Sequence, residues 1–248
     1  MKAMILAAGL GTRLRPLTDS RPKALVEVGG RTLLEITLTR LREAGVTDVI
    51  VNVHHHAQLV TDYLMVNGNF GLRVEISRED DLLLDTGGGL KNAAWFFLQR
   101  STQSDEPFIL HNVDVISNID LTRMMQFHCE CRSLATLAVQ QRESSRQLLF
   151  DDGMALSGRR IQARPDEIAR KAVAYQPWAF SGIHVISLRL LKMIREQGVF
   201  SIIDVYLRLA GSGKIILGFP ADDYYWRDVG RLSDLKQANE DDVQAKLR

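Results

Sequence analysis

The sequence contains few cysteines, almost no net charge and no long apolar run. Its only cysteines, Cys129 and Cys131, have one residue between them, a spacing that suits neither a complete zinc site nor a disulfide. We therefore expect reduced thiols and a cytoplasmic location. A formal net charge of +1 provides no general basic field for nucleic acid or an anionic membrane. No run of about 18 apolar residues is present, and the N-terminus enters a strand directly, so we expect neither a membrane span nor a secretory signal.

Two well-known glycine motifs for phosphate groups are also missing. Gly9 and Gly11 follow the first apolar run, but the third glycine of a dinucleotide fingerprint is absent. Lys23 comes too late in the chain to close a P-loop. The first absence disfavours a dinucleotide oxidoreductase, and the second excludes a P-loop.

The stretch after the first apolar run is nevertheless suited to an anion. The run Ala3–Leu6 is typical of a buried strand, and the glycines behind it allow bare N–H groups to approach a ligand. Three cations follow within the same segment: Arg13, Arg15 and Lys23. A tight turn with surface arginines explains the glycines, but it does not explain Pro16, Pro22 and Lys23 as a set. The stretch therefore predicts a polyphosphate site.

The remaining pattern predicts an α/β protein with a mostly parallel sheet, because strands and helices alternate with short joints. Strands are predicted at 3–6, 48–53, 72–76, 107–112, 134–139, 147–150, 156–161, 178–186 and 215–219. Helices are predicted from a capping box at 32–35 to Gly45, at 58–65, 90–98, 121–131, 188–197 and 202–210, and after Gly230. We expect Ser233, rather than Arg231, to cap the last of these.

Three adjacent histidines, His54–His56, follow the second strand. Neighbours on a chain cannot all face one ion with good geometry, so a loop or helix start is favoured over a metal site. Because binding sites in such sheets lie at the carboxyl edge, a modest substrate contact stays open.

The first glycine stretch resembles the signature of the nucleoside-diphosphate-sugar pyrophosphorylases, which are sugar-1-phosphate nucleotidyltransferases. Their pattern is L-A-A-G-x-G-x-R-(L/M)-x-P-L-T-x-x-x-P-K, and the chain matches it from Leu6 to Lys23. The resemblance implies a Rossmann-like nucleotide-diphospho-sugar transferase fold whose loop wraps the triphosphate of an NTP. It implies that Arg13 and Lys23 are catalytic. The nucleotide-binding residues that it implies in this loop are Leu6, Ala7, Ala8, Gly9, Gly11, Thr12, Arg13 and Lys23.

A second glycine run, Gly87–Gly89, follows Asp85 and Thr86. Taken alone, it is typical of a flexible turn or a helix start. In the resembled family this position carries the base-binding segment, which implies nucleotide contacts from Asp85, Thr86, Gly87 and Gly88. The segment most resembles the N-acetylmuramate-1-phosphate uridylyltransferase type, which favours UTP. Mannose- and heptose-1-phosphate guanylyltransferases have similar runs and stay as alternatives.

Two aspartates far apart in the sequence are the candidate metal ligands. Asp114 lies just beyond a predicted strand, in Asn112-Val113-Asp114 where the family usually has N-G-D. Asp228 lies in a stretch that resembles the family's W-x-D-(V/I)-G motif. The resemblance implies that both carboxylates hold Mg²⁺, for which oxygen ligands are suited.

The sugar-phosphate half is less well marked. The resemblance implies contacts from Asn112, from Asp228 and from Gly182, which lies in a segment similar to F-x-G-I-x-V. The E-K-P motif of many relatives is absent from this sequence. Arg159, Arg160 or Lys171 could replace its lysine.

Together these features predict a single nucleotidyltransferase domain, 1–248, that joins an NTP to a sugar 1-phosphate and releases pyrophosphate. Residues 1–115 are the expected nucleotide-binding half and 116–248 the sugar-phosphate-binding half. We expect a monomer or homodimer. A phosphocholine cytidylyltransferase and a non-catalytic nucleotide-sugar-binding regulatory protein are further alternatives, the last disfavoured because Lys23, Asp114 and Asp228 are all present.

Overall fold

The computed structural model describes residues 1–99, 105–241 and 246–247. Its strands are β1 (Lys2–Leu6), β2 (Glu27–Val28), β3 (Arg31–Thr32), β4 (Asp48–Val53), β5 (Arg73–Arg78), β6 (Pro107–Asn112), β7 (Val115–Ser117), β8 (Ala135–Gln140), β9 (Arg146–Phe150), β10 (Leu156–Ile161), β11 (Glu167–Ile168), β12 (Gln176–Ser187), β13 (Ile216–Pro220) and β14 (Trp226–Asp228). Its α-helices are α1 (Leu33–Glu43), α2 (Ala57–Val66), α3 (Asp85–Asn92), α4 (Ala94–Leu98), α5 (Leu121–Glu130), α6 (Ile202–Gly211) and α7 (Leu232–Glu240).

The chain divides into two compact units, each assembled from separate stretches. The first comprises Met1–Leu84, Leu110–Leu121 and Tyr224–Arg248. The second comprises Asp85–Ile109 and Thr122–Asp223. The functional division at residue 115 stays a prediction.

The first unit contains the predicted parallel β-strands. β4 pairs in parallel with both β1 and β5, and the end of β6 lies beside β1. Ala3, Met4 and Ile5 of β1 are fully buried, which explains why the strand is continuously apolar after Lys2 rather than alternating. Because β1 and β4 run the same way, the segments that follow them start at one edge of the sheet.

Helix α1 begins and ends as its sequence predicts. The hydroxyl of Thr32 accepts a hydrogen bond from the Glu35 N–H at 3.0 Å, which satisfies one of the free donors of the first turn. Leu34, Leu38 and Leu41 are fully buried along one face. Gly45 follows the helix with a φ of +84°, a conformation that favours glycine.

The second unit contains a mixed and mostly antiparallel arrangement. β8 pairs in parallel with β13 and antiparallel with β12. β12 also pairs with β9, and β10 pairs with both β9 and β11. The β12–β8 register shifts between Phe180 and His184, where Gly182 has a φ of +75°. This irregularity requires glycine because a left-handed backbone is strained for other residues.

The predicted helix at 188–197 is wrong in its second half. The segment Leu188–Met193 is a 3₁₀-helix, and Ile194 at its end is extended with ψ of 108°. Leu188, Leu190 and Leu191 are all buried, so they pack on more than one face instead of forming a single α-helical stripe. The apolar run was therefore mistaken for a longer helix.

The predicted helix at 90–98 and the predicted cap of α7 also need correction. The structure begins the first helix at Asp85, includes the three glycines in α3, and separates α3 from α4 at Ala93. Helix α7 begins at Leu232, so Ser233 lies inside the helix and Arg231 holds the N-cap position without a side-chain cap. The N-cap, Arg231, is extended with a φ of −135°, and the helix starts two residues earlier than a cap at Ser233 would place it.

Among the described residues, no helix combines the length and the apolar character that crossing a membrane would require.

Candidate active site

The phosphate loop, defined here as residues 6–18, leaves β1 and folds back on its own end. Gly11 has a φ of +63°, and its carbonyl accepts a hydrogen bond of 2.8 Å from the Thr18 hydroxyl. A Cβ at Gly11 would lie 2.9 Å from Thr18 Cγ2 and 3.2 Å from Lys23 Cβ. The glycine is therefore required both by its conformation and by close packing.

Lys23 is a buried cation directed at a carboxylate. It opens the short 3₁₀-helix Lys23–Leu25 behind Pro22 and is only 7% exposed. Its Nζ donates to Asp114 Oδ2 at 2.5 Å. Burial of a lysine is costly unless its charge is paired, and Asp114 provides that pairing.

A two-stranded ribbon brings the two predicted metal ligands together. β7 and β14 pair antiparallel, with Asp228 opposite Val115, the residue after Asp114. The Val229 N–H donates to the Asp114 carbonyl at 2.8 Å, which locks the two backbones side by side. The sequence places these aspartates 114 positions apart, and the fold makes them neighbours.

The electrostatics of Asp228 reflect this crowding. Burial, and secondarily the nearby charge of Asp114, raise the pKa of the Asp228 carboxyl, while Lys23 and Arg13 act in the opposite direction. A Cβ at Gly230 would lie 2.9 Å from Asp228 Oδ1 and 3.0 Å from an Arg13 guanidinium nitrogen. Arg13 and Asp228 thus pack tightly against Gly230, where any side chain would collide with both.

The carboxylates of Asp114 and Asp228 are the type of oxygen ligand that suits a divalent cation. Asp228 Oδ1 is buried and has no hydrogen-bond partner within the described residues. No group of three or more histidine, cysteine, aspartate or glutamate side chains that could hold a metal occurs in the described part of the chain. Two carboxylates completed by phosphate oxygens and water are the usual ligands of Mg²⁺.

Asn112 lies at the same edge of the first unit. It ends β6, and the next residue, Val113, donates its N–H to the Leu6 carbonyl at 3.1 Å. The side-chain oxygen Oδ1 of Asn112 is buried without a hydrogen-bond partner within the described residues. This predicted sugar-phosphate residue is therefore the last residue of β6, next to the residue that bonds to the start of the phosphate loop.

The predicted base-binding segment belongs to the second unit and begins α3. Asp85 has a φ of +60°, and its carboxylate accepts from the Thr86 N–H at 2.6 Å. The N–H groups of Gly87 and Gly88 donate to the Phe200 carbonyl at 3.0 and 3.2 Å. The glycines therefore serve close packing against residue 200, and a direct N–H contact with a base stays a prediction.

Gly182 and the candidate substitutes for the missing lysine also lie in the second unit. Arg159 pairs with Glu167 and Asp204, and Arg160 pairs with Asp166. Both arginines are thus engaged in ion pairs with neighbouring carboxylates. Lys171 is exposed. The replacement for the missing lysine stays open.

The histidine stretch is a connection and a helix start, as predicted. His54 follows β4, and His56 has a left-handed φ of +57° immediately before α2. His54 Nδ1 lies 2.5 Å from the Glu79 carbonyl. Because a carbonyl only accepts, this contact requires the proton on Nδ1.

A comparison with protein-family models decides the family. The nucleotidyl transferase model matches residues 2–245. The chain belongs to the nucleotidyl transferase family. The match spans the phosphate loop, Lys23 and both aspartates.

Proteins of similar sequence agree with the assignment. An N-acetylmuramate alpha-1-phosphate uridylyltransferase of Caulobacter vibrioides is 47% identical over 260 residues, covering 99% of this chain and 93% of its own length. A UTP–glucose-1-phosphate uridylyltransferase of Synechocystis is 28% identical over 96% of this chain, which spans 62% of that protein.

Solved structures confirm the fold. A UDP-glucose pyrophosphorylase complexed with UDP-glucose superposes with a TM-score of 0.78 at 16% identity, covering 98% of each chain. HddC from Yersinia pseudotuberculosis, complexed with GMP-PN, has a TM-score of 0.73 at 21% identity and covers 97% of this chain and 98% of its own. The predicted fold class, a nucleotide-diphospho-sugar transferase fold with a sheet flanked by helices, is confirmed.

Sequence reasoning missed two buried polar residues beneath the phosphate loop of this nucleotidyl transferase. Asn52 and Glu79 are 2% and 3% exposed. An asparagine near the end of an otherwise apolar buried strand was the signal available for the first. Glu79 gives no comparable signal, because it lies in a run of charged residues typical of a surface loop.

Proposed function

We propose that this nucleotidyl transferase joins UTP to N-acetylmuramate 1-phosphate, or to a close analogue, forming the UDP-sugar and releasing pyrophosphate. The observation that carries the proposal is the convergence of Lys23, Asp114 and Asp228. The relative of 47% identity supports uracil as the base and N-acetylmuramate as the sugar.

The reaction joins two anions, so neutralising their charge is the first requirement. An oxygen of the sugar phosphate attacks the α-phosphorus of the nucleotide and forms the new P–O bond. The bond from the α-phosphorus to the oxygen bridging to the β-phosphorus breaks, and its electron pair leaves with pyrophosphate. Such transfers depend on alignment and charge stabilisation more than on a covalent residue.

The residues of the phosphate loop and its neighbours supply those two effects in this proposal. Backbone N–H groups from Ala8 to Thr12 bind the triphosphate, since glycines allow close approach. Lys23 binds the phosphate at which the bond forms, and Arg13 stabilises the charge that accumulates on the leaving pyrophosphate. Asn112 and Gly182 contact the sugar phosphate. Asp85 and Thr86 contact the base.

Asp114 and Asp228 are the residues that would hold Mg²⁺. When bound, the cation would neutralise phosphate charge and align the two substrates. The buried Oδ1 of Asp228, which has no hydrogen-bond partner in the described part of the chain, supports this assignment.

A substrate panel tests the proposed function. Pyrophosphate release is measured from UTP, GTP, CTP and dTTP, each with N-acetylmuramate, N-acetylglucosamine, glucose, mannose and heptose 1-phosphates and with phosphocholine. We expect the highest kcat/KM with UTP and N-acetylmuramate 1-phosphate, and no turnover without a divalent cation. Preference for GTP with mannose or heptose 1-phosphate would contradict the substrate assignment, and no release from any pair would contradict the activity.

A further inference from the structure

A buried polar pair, Asn52 and Glu79, lies outside the residues that the proposed reaction uses. Asn52 occupies β4, and Glu79 follows β5 directly. Both side chains are almost fully buried, at 2% and 3% exposure. Burying a carboxylate away from water is unfavourable unless hydrogen-bond donors satisfy it, so the partners of Glu79 show what holds it there.

The pair connects two backbone segments of the first unit. Asn52 Oδ1 accepts from the Ala7 N–H at 2.8 Å, and Asn52 Nδ2 donates to Glu79 Oε1 at 2.6 Å. The second carboxylate oxygen, Oε2, accepts from the Leu84 N–H at 2.8 Å. Ala7 belongs to the phosphate loop, and Leu84 is the residue immediately before α3.

Backbone hydrogen bonds fix Glu79 itself. Its N–H donates to the Val53 carbonyl at 2.9 Å, and its own carbonyl accepts from His54 Nδ1. These two hydrogen bonds therefore fix the backbone of Glu79 against the end of β4. Small displacements of Glu79 would be transmitted to Ala7 through Asn52.

The donors and acceptors leave only one arrangement. Ala7 and Leu84 each present an N–H, so the side chains between them must offer an acceptor at both ends. Asn52 meets the first N–H with its oxygen and must then donate to residue 79. Only a side chain with two acceptors can meet both that donation and the Leu84 N–H.

We propose that Asn52 and Glu79 form a positioning pair for nucleotide transfer, which fixes the backbone at Ala7 and at Leu84 for the binding of the NTP. The inference rests on the proposed function, because it assigns the phosphate loop to the triphosphate and the start of α3 to the base. Neither side chain touches the reacting atoms in this scheme. Their effect is exerted through the two backbone segments.

A pair of complementary substitutions tests this logic. Asn52→Asp retains an acceptor for Ala7 but places two carboxylates against each other. Glu79→Gln retains one acceptor but places an NH₂ group against Asn52 Nδ2 or the Leu84 N–H. In the double variant, the new amide at position 79 donates to the new carboxylate at position 52, and its oxygen accepts from Leu84. All three hydrogen bonds are then restored with the same atom count.

Each single variant is expected to lower kcat/KM for the NTP by about 10- to 100-fold, because one buried polar contact becomes repulsive. The double variant is expected to recover to within about 3-fold of the parent. KM for the sugar 1-phosphate is expected to change much less than KM for the NTP. Thr37→Val is the matched control, because it removes a buried hydrogen bond inside α1. It is expected to lower stability and to leave the kinetics with the NTP unchanged.

Amide hydrogen exchange of peptides that cover Ala7 and Leu84 gives a readout that needs no substrate. The single variants are expected to exchange faster there, and the double variant like the parent. Unchanged NTP kinetics and exchange in the singles, or a folded double variant without recovery, would overturn the inference. If the singles do not fold, recovery in the double variant decides. If the parent shows no turnover, the proposed function fails, while exchange still tests the pair.

Discussion

At the scale of single residues, Lys23 has the most constrained position. Its side chain is 8% exposed, and its ammonium group meets Asp114 at 2.5 Å. The loop that precedes it is closed by Thr18, whose hydroxyl holds the Gly11 carbonyl. The lysine is therefore presented by a preorganised backbone rather than by a flexible surface stem, which is the condition for electrostatic stabilisation of a transition state.

Replacing Lys23 is expected to remove most of the turnover. Lys23→Ala should lower kcat by about 100- to 1000-fold, because one charge-stabilising donor of this kind lowers the activation barrier by about 3–4 kcal/mol. Steady-state pyrophosphate release measures this. The control is Lys236→Ala, because the Lys236 side chain is 81% exposed and forms a long surface ion pair with Glu240. A Lys23→Ala variant with near-normal kcat would contradict the assigned role.

At the scale of elements, the glycines of α3 are explained by packing. Gly87 approaches the Phe200 ring so closely that a Cβ there would lie 2.5 Å from it and 2.9 Å from the Ile202 nitrogen. The Ile202 N–H in turn donates to the Thr86 hydroxyl at 3.0 Å. The start of α3 and the start of α6 are thus fitted to each other without space for a side chain.

Gly87→Ala is therefore expected to destabilise the fold. Overpacking against a backbone nitrogen costs about 1–3 kcal/mol, which denaturant unfolding can measure. Gly153→Ala is the matched control, because its Cβ would lie at an ordinary 3.4 Å from Asp151 Oδ1. Equal stability of the two variants would show that α3 adjusts without cost.

A buried histidine joins its own helix to two strands. His128 of α5 contacts the hydroxyls of Thr136 at 2.9 Å and Ser187 at 3.0 Å, in β8 and β12. Ser187 donates its own proton to the Ser133 carbonyl, so it must accept from His128 Nε2. Burial, helped by the charge of Arg189, lowers the pKa of His128 to about 4.

Stability is expected to depend on pH through His128. Its folded pKa lies below the ordinary 6.5, so its contribution is complete above pH 6.5 and is lost as the pH falls towards 4. The loss is about 2–3 kcal/mol. Urea unfolding at pH 7, 5.5 and 4 should show a smaller decrease for His128→Gln than for the parent. Parallel pH profiles would contradict the role of this histidine.

At the scale of the whole molecule, the sequence predicted the features that depend on residues close together in the chain. The phosphate loop, the capping box of α1 and most strands depend on local patterns of glycine, hydroxyl and apolar residues. The family resemblance added both aspartates, whose meeting requires the β7–β14 ribbon. The pattern could not reveal the contacts of Asn52 with Glu79, because donors and acceptors at 27 positions' separation leave no periodic signal.

Two of the wrong predictions have a common physical origin. Gly87–Gly89 have poor helix propensity, yet close packing against Phe200 holds them in α3. The apolar run from Leu188 has good helix propensity, yet burial on several sides ends it as a 3₁₀-helix. In both segments tertiary contacts override local preference, and those contacts come from residues distant in the chain.

Under the proposed function, the ion pair between Lys23 and Asp114 would also link the affinities of two different ligands, the phosphate and the cation. Each member of the pair now neutralises the other. A cation that binds Asp114 would release Lys23 for a phosphate, and a phosphate that binds Lys23 would release Asp114 for a cation. By thermodynamic reciprocity each ligand then strengthens the binding of the other by the same factor. Under the proposed function, this coupling favours binding of the nucleotide together with its divalent cation over binding of either component alone.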